Sequence, residues 1–89
     1  MLTKVSKLEK RGGFRLHVRF SDGSAGEHDF TALVNEAGPM TEPLRDELYF
    51  ARVFLEFGAP TWPNGFDIAP EWLRREMESA GELSREAAE

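Results

Sequence analysis

Cysteine is absent from the chain, which excludes disulfide staples, thiolate zinc sites and cysteine nucleophiles. Long hydrophobic runs are absent too. Strongly apolar stretches reach only three residues, as in Val53-Phe54-Leu55, against the roughly 20 that a membrane helix needs. The opening Met1-Leu2-Thr3-Lys4-Val5-Ser6-Lys7 lacks the apolar core of a signal peptide, so a cytoplasmic setting is expected. Basic residues are the minority, 11 against 16 acids, and the net charge of -5 argues against a general binder of nucleic acid or anionic membrane.

What is present describes one small folded unit. The 89 residues are 40% apolar and 30% charged, an ordinary globular balance with room for a single hydrophobic core. One domain is expected over residues 1–81, with 82–89 as a frayed tail holding one strong apolar residue, Leu83. Charge is unevenly spread. Residues 1–20 carry six basic side chains and one acid (+5), and residues 21–89 carry five basic and fifteen acidic (-10). Either the basic strands pair with acids elsewhere in the fold, or an acidic face is held out to a basic partner.

The clearest periodic signal is Phe14-Arg15-Leu16-His17-Val18-Arg19-Phe20, where apolar and polar residues alternate as in a half-buried strand. Ser21-Asp22-Gly23 follows as a turn. A two-residue loop at Asp22-Gly23 would set Val18 against Glu27 and Leu16 against Asp29, placing carboxylates on the apolar side. A three-residue loop sets Phe14 against Phe30, Leu16 against His28 and Val18 against Gly26, with His17 facing Glu27 and Arg15 facing Asp29. Only that register makes both faces chemically consistent. Leu2 to Glu9 reads as an earlier strand turned by Gly12-Gly13, completing a three-stranded antiparallel meander. Its pairing is open, because Leu2, Val5 and Leu8 do not alternate cleanly.

After Phe30 the period becomes helical. Thr31 to Ala37 suits a short helix capped by Asp29 or Thr31 and ended by Gly38-Pro39, and Pro43 opens a further turn across Glu42 to Leu48. From Tyr49 to Phe57 helix and strand compete; a strand at about 52–57 is expected, turned by Gly58-Ala59-Pro60 into a short one near Thr61-Trp62. Pro70 starts the last helix, Leu73, Met77 and Ala80 mark its apolar stripe, and Gly81 ends it. The class is α+β: a meander of about three strands, a short strand pair, short helices and one C-terminal helix.

No catalytic constellation stands out. In the expected register His17 and His28 point to opposite sheet faces and cannot converge on one ion, so both read as structural, and no metal or cofactor is expected. The serines read as turn or terminus residues, and the glycines form no phosphate-binding pattern. Gly12-Gly13, Gly23 and Gly26 are explained by hairpins. The expectation is a non-enzymatic protein.

The densest signal is Pro60-Thr61-Trp62-Pro63-Asn64-Gly65-Phe66-Asp67-Ile68-Ala69-Pro70-Glu71. Prolines fix φ, Asn64-Gly65 supplies a turn, and Asp67 is placed to accept backbone N–H groups ahead of the helix. The segment is either a rigid connector packed on the core, or a preorganised partner surface of Trp62, Asn64, Phe66, Asp67 and Glu71.

This run, with Phe20-Ser21-Asp22-Gly23, Asp29-Phe30, Leu44-Arg45-Asp46, Phe50, Val53 and Leu73, resembles the small bacterial domain-of-unknown-function family 2442 over roughly residues 2–76. The resemblance implies a compact α+β fold and a small protein, sometimes joined to a helix-turn-helix, often encoded beside a toxin-like or uncharacterised partner. It brings no catalytic residues. A protein-interaction module, antitoxin-like toward a small neighbour protein, is the function it implies, and the acidic stretch after residue 20 suits a basic partner. The alternative is a nucleic-acid accessory protein using Lys4, Lys7, Lys10, Arg11, Arg15 and Arg19. A homodimer through exposed sheet edges is a further expectation, opposed by the lysines on the first strand.

Overall fold

Alternation in the segment around Val18 becomes the centre of the fold. The computed structural model describes residues 2–85. Strand β2 (Arg15–Phe20) buries Leu16, Val18 and Phe20 and leaves Arg15, His17 and Arg19 at least partly exposed. It pairs antiparallel with β1 (Val5–Lys10) and with β3 (Ser24–Asp29). The β2–β3 register is the one expected: Arg15 faces Asp29, Leu16 faces His28, His17 faces Glu27 and Val18 faces Gly26. The ladder continues where Phe30 N–H donates to the Phe14 carbonyl at 2.7 Å. Gly23, at φ 90°, closes the three-residue loop, and its N–H donates to the Phe20 carbonyl.

Strand β1 contains a bulge between Val5 and Lys7. The extra residue resets the two-residue period, so Val5 opposite Phe20 and Leu8 opposite Val18 share the core face although they are three apart in sequence. This explains the broken alternation. The sheet order is β1-β2-β3-β6, where β6 is Ser84–Arg85 and pairs antiparallel with β3. The fold therefore extends beyond Gly81: Ser84 and Arg85, expected in a frayed tail, hold a sheet edge, while 86–89 lie outside the described residues. A Cβ on Gly26 would overlap the Glu82 carbonyl, so glycine lets the returning chain close on β3.

Helix α1 (Thr31–Val34) is shorter than the span read from sequence. Asp29 Oδ1 accepts the Thr31 N–H at 2.9 Å, which makes Asp29 the residue that holds its start. A 3₁₀ turn, Glu42–Arg45, and helix α2 (Glu47–Phe50) follow, the latter capped by Asp46 accepting from Leu48 N–H. A second, two-stranded sheet joins β4 (Phe54–Glu56) to β5 (Ala59–Thr61) through Phe57-Gly58, so Ala59 and Pro60, expected in the turn, already belong to β5. Gly58 accepts the Val5 N–H at 2.8 Å and ties this hairpin to β1.

Helix α3 (Pro70–Ser79) starts at Pro70 and buries Leu73 and Met77; Ala80, expected on the apolar stripe, is its exposed C-terminal cap. Gly81, at φ 72°, donates to the Glu78 carbonyl, and Glu82 N–H donates to that of Met77, the paired bonds of a glycine-terminated helix. The core joins Val5, Leu16, Val18 and Phe20 of the sheet to Phe30, Phe50, Trp62, Leu73 and Met77. The architecture is α+β, as expected.

Candidate functional site

The connector between β5 and α3 is braced by bonds from the N–H groups of Trp62, Gly65, Phe66 and Ile68. Trp62 N–H donates to the Phe66 carbonyl and Gly65 N–H to that of Trp62, each at 2.9 Å, forming a turn with Gly65 at φ 90°. Asn64 bridges outward: its Oδ1 accepts Phe66 N–H at 3.1 Å, and its Nδ2 donates to the Met40 carbonyl at 3.0 Å. Thr61 pairs with Asp67, and Ile68 N–H donates to the Pro60 carbonyl. The short loop ladder leaves Phe66 little freedom.

Trp62 does not belong to a partner surface. Its side chain is fully buried, and its Nε1–H donates to the Phe50 carbonyl at 2.9 Å. The expectation is corrected here, because a large ring with an internal acceptor gains more from the core than from water. The ring stands 5.5 Å from Phe50 and 5.8 Å from Phe66, so Phe66 rests on a core aromatic. Asp67 also departs from its expected role. Ala69 occupies the cap position of α3, and no side chain bonds there.

Phe66 and Asp67 line an open groove of about 430 Å³ between α1 and α3. Leu33 and Glu36 form one wall, and Ile68, Ala69 and Trp72 complete the other. Glu36 is fixed through its main chain, whose carbonyl accepts from Thr41 Oγ1 at 2.7 Å and from Arg45 Nη2 at 3.0 Å. Arg45 also donates from Nε to the Val34 carbonyl, capping α1. Glu36 and Asp67 are the ionisable side chains of the lining. Of the five residues read from sequence, two line the groove, Asn64 anchors it, and Glu71 stands exposed beside Trp72 on α3. Leu33, Glu36 and Trp72 were missed. Trp72, half-buried one residue before the helix stripe at Leu73, was the available signal.

The histidines separate as expected. His17 faces Glu27 across the sheet. His28 is half-buried, its Nδ1 2.7 Å from Glu82 Oε1 and its ring edge-on to Phe30 at 4.6 Å. That pair ties the chain after α3 to β3. Among the described residues no three metal-ligating side chains come together.

Several charges of the basic strands have acidic partners. Glu9 takes Lys7 at 3.1 Å and Arg11 at 3.0 Å, which lowers its pKa, and Arg15 reaches Glu27 at 3.7 Å. Asp22 is held by the Ser24 hydroxyl and backbone N–H and then by Arg74, which lower its pKa to about 2. The Thr31 hydroxyl and backbone N–H lower that of Asp29 in the same way.

A family profile described as a protein of unknown function, DUF2442, matches residues 5–79, from β1 to the end of α3. The chain belongs to the DUF2442 family. No curated protein and no solved structure matches it significantly. The DUF2442 match takes in the groove and its connector and stops before β6. No helix among the described residues is long and apolar enough to cross a membrane.

Proposed function

We propose that this DUF2442 chain is a non-enzymatic protein-interaction module of the bacterial cytoplasm, holding a small protein encoded beside it in the manner of an antitoxin. One observation carries the reading: a connector braced by its own backbone bonds holds Phe66 and Asp67 in the lining of an open, mostly apolar groove. Preorganised aromatic walls lower the ordering cost of association. Lys7 and Arg11 share Glu9, and Arg15 reaches Glu27, so part of the positive charge of the basic strands is offset, which favours this reading over nucleic-acid contact through them.

Co-expression with the adjacent gene, followed by tandem affinity purification, tests the reading. A stoichiometric complex is expected, and Trp72→Ala, which removes the exposed part of an aromatic wall, is expected to weaken it about tenfold or more. Recovery of only the free chain at micromolar concentration would overturn the proposal.

A further inference from the structure

The groove has a chemistry of its own. Its lining is mostly apolar, built from Leu33, Phe66, Ile68, Ala69 and Trp72, and its ionisable lining residues, Glu36 and Asp67, are both acids. Among the described residues, none of those lining it is basic. Arg45, beside Glu36, directs Nε and Nη2 to main-chain carbonyls. Glu71, next to Trp72, adds a further exposed acid at the same end of α3.

We infer that this groove receives an arginine or lysine side chain carried on an apolar segment of a partner protein. The inference rests on the interaction-module reading and specifies what that module grips. A guanidinium or ammonium can lie against the Trp72 and Phe66 rings while its methylene stem covers Leu33 and Ile68. Its N–H groups then reach carboxylates on both walls. A neutral or acidic segment would cover the same apolar lining but add no counter-charge for the two carboxylates it desolvates. The volume of about 430 Å³ accommodates one long side chain and an apolar neighbour. The walls are set before binding, Phe66 by the Asn64 turn and Glu36 by Thr41 and Arg45.

Heteronuclear NMR titration of the full chain with a designed 12-residue peptide alternating leucine and arginine tests this, beside a second peptide with glutamine for arginine. The arginine peptide at millimolar concentration is expected to shift the Trp72 indole resonance and the amides of Glu36 and Asp67, and to bind at least tenfold tighter than the glutamine peptide. Glu36→Gln with Asp67→Asn is expected to remove that preference. Glu56→Gln with Glu78→Gln, which removes the same two negative charges, is expected to leave it.

Equal affinity for the two peptides, no shift at the groove, or an equal loss in the Glu56/Glu78 variant would overturn the inference. The module reading fails separately. If the adjacent gene product co-purifies and Trp72→Ala releases it while Glu36→Gln/Asp67→Asn does not, the module stands and the cationic occupant is wrong. If the arginine peptide passes and the neighbour never co-purifies, the groove chemistry stands and the antitoxin-like reading is wrong.

Discussion

Phe57 has a backbone conformation that its side chain disfavours. It lies at φ 53°, the sole positive-φ residue other than glycine among the described residues, and its ring is 89% exposed. With Gly58 at φ 81°, it forms a two-residue loop with positive φ at both centres, where asparagine followed by glycine is favoured. A ring so exposed returns little burial energy against that strain. Phe57→Asn is therefore expected to stabilise the chain by about 0.5–1 kcal/mol, raising Tm by roughly 3–6 °C. Phe57→Val, which adds β-branching at a left-handed position, should lower Tm. A melting curve in which the asparagine variant loses stability would mean that the ring supports the fold. Residue-scale reasoning from sequence worked where backbone chemistry dominates, as at Gly23 and Gly81, whose positive φ closes a hairpin and a helix. It failed at Trp62, because whether a tryptophan finds a buried acceptor depends on Phe50, twelve positions away in the chain.

At the scale of elements, legibility followed periodicity. The β2–β3 register was readable because a slip of one residue would invert both faces of an alternating strand. The β1 bulge was not, since an inserted residue leaves no composition signal, only a lost period. Strand β6 was the least visible: two exposed residues, Ser84 and Arg85, have no pattern to read. Its trace lay elsewhere, in Gly26 within β3, where glycine marks a close backbone approach. The groove was half legible for a related reason. Phe66 and Asp67 belong to the dense connector, whereas Leu33 and Glu36 arrive from α1 and the turn after it through tertiary packing. The glycine makes the β3–β6 junction testable. Gly26→Ala puts a methyl group where the Glu82 carbonyl stands, so the segment after α3 must shift. A cost of about 1–3 kcal/mol is expected, with hydrogen-exchange protection lost first at Ser84 and Arg85. In a chain ended after Gly81 the same substitution should cost nothing, because nothing remains to collide with it. An equal cost in both backgrounds would show that the strand itself, and not the returning segment, requires glycine.

Across the whole molecule, Asp22 is the point where three parts of the fold meet. Its Oδ1 holds Ser24 at the start of β3, its Oδ2 takes Arg74 of α3 at 2.9 Å, and its carbonyl accepts from Arg85 of β6 at 2.8 Å. The Ser24 bonds, then Arg74, lower its pKa to about 2 from an ordinary 3.8, so the folded chain binds fewer protons there than the unfolded one. The contribution is complete above about pH 4 and disappears as pH falls through about 2. A shift of that size corresponds to roughly 2.4 kcal/mol, and solvent at a side chain 40% exposed reduces it to about 1 kcal/mol. Asp29 and Glu9, also lowered, act in the same direction, while protonation of other acids relieves the self-repulsion of a chain at -5. Overall acid sensitivity thus mixes opposing effects, and Asp22→Asn separates one of them. Urea unfolding should place the variant about 1 kcal/mol below the parent at pH 6, with the two curves converging near pH 2. A gap that persists unchanged at pH 2 would mean that Asp22 acts through shape and hydrogen bonding alone, and that the charge joining the hairpin to α3 contributes nothing to stability.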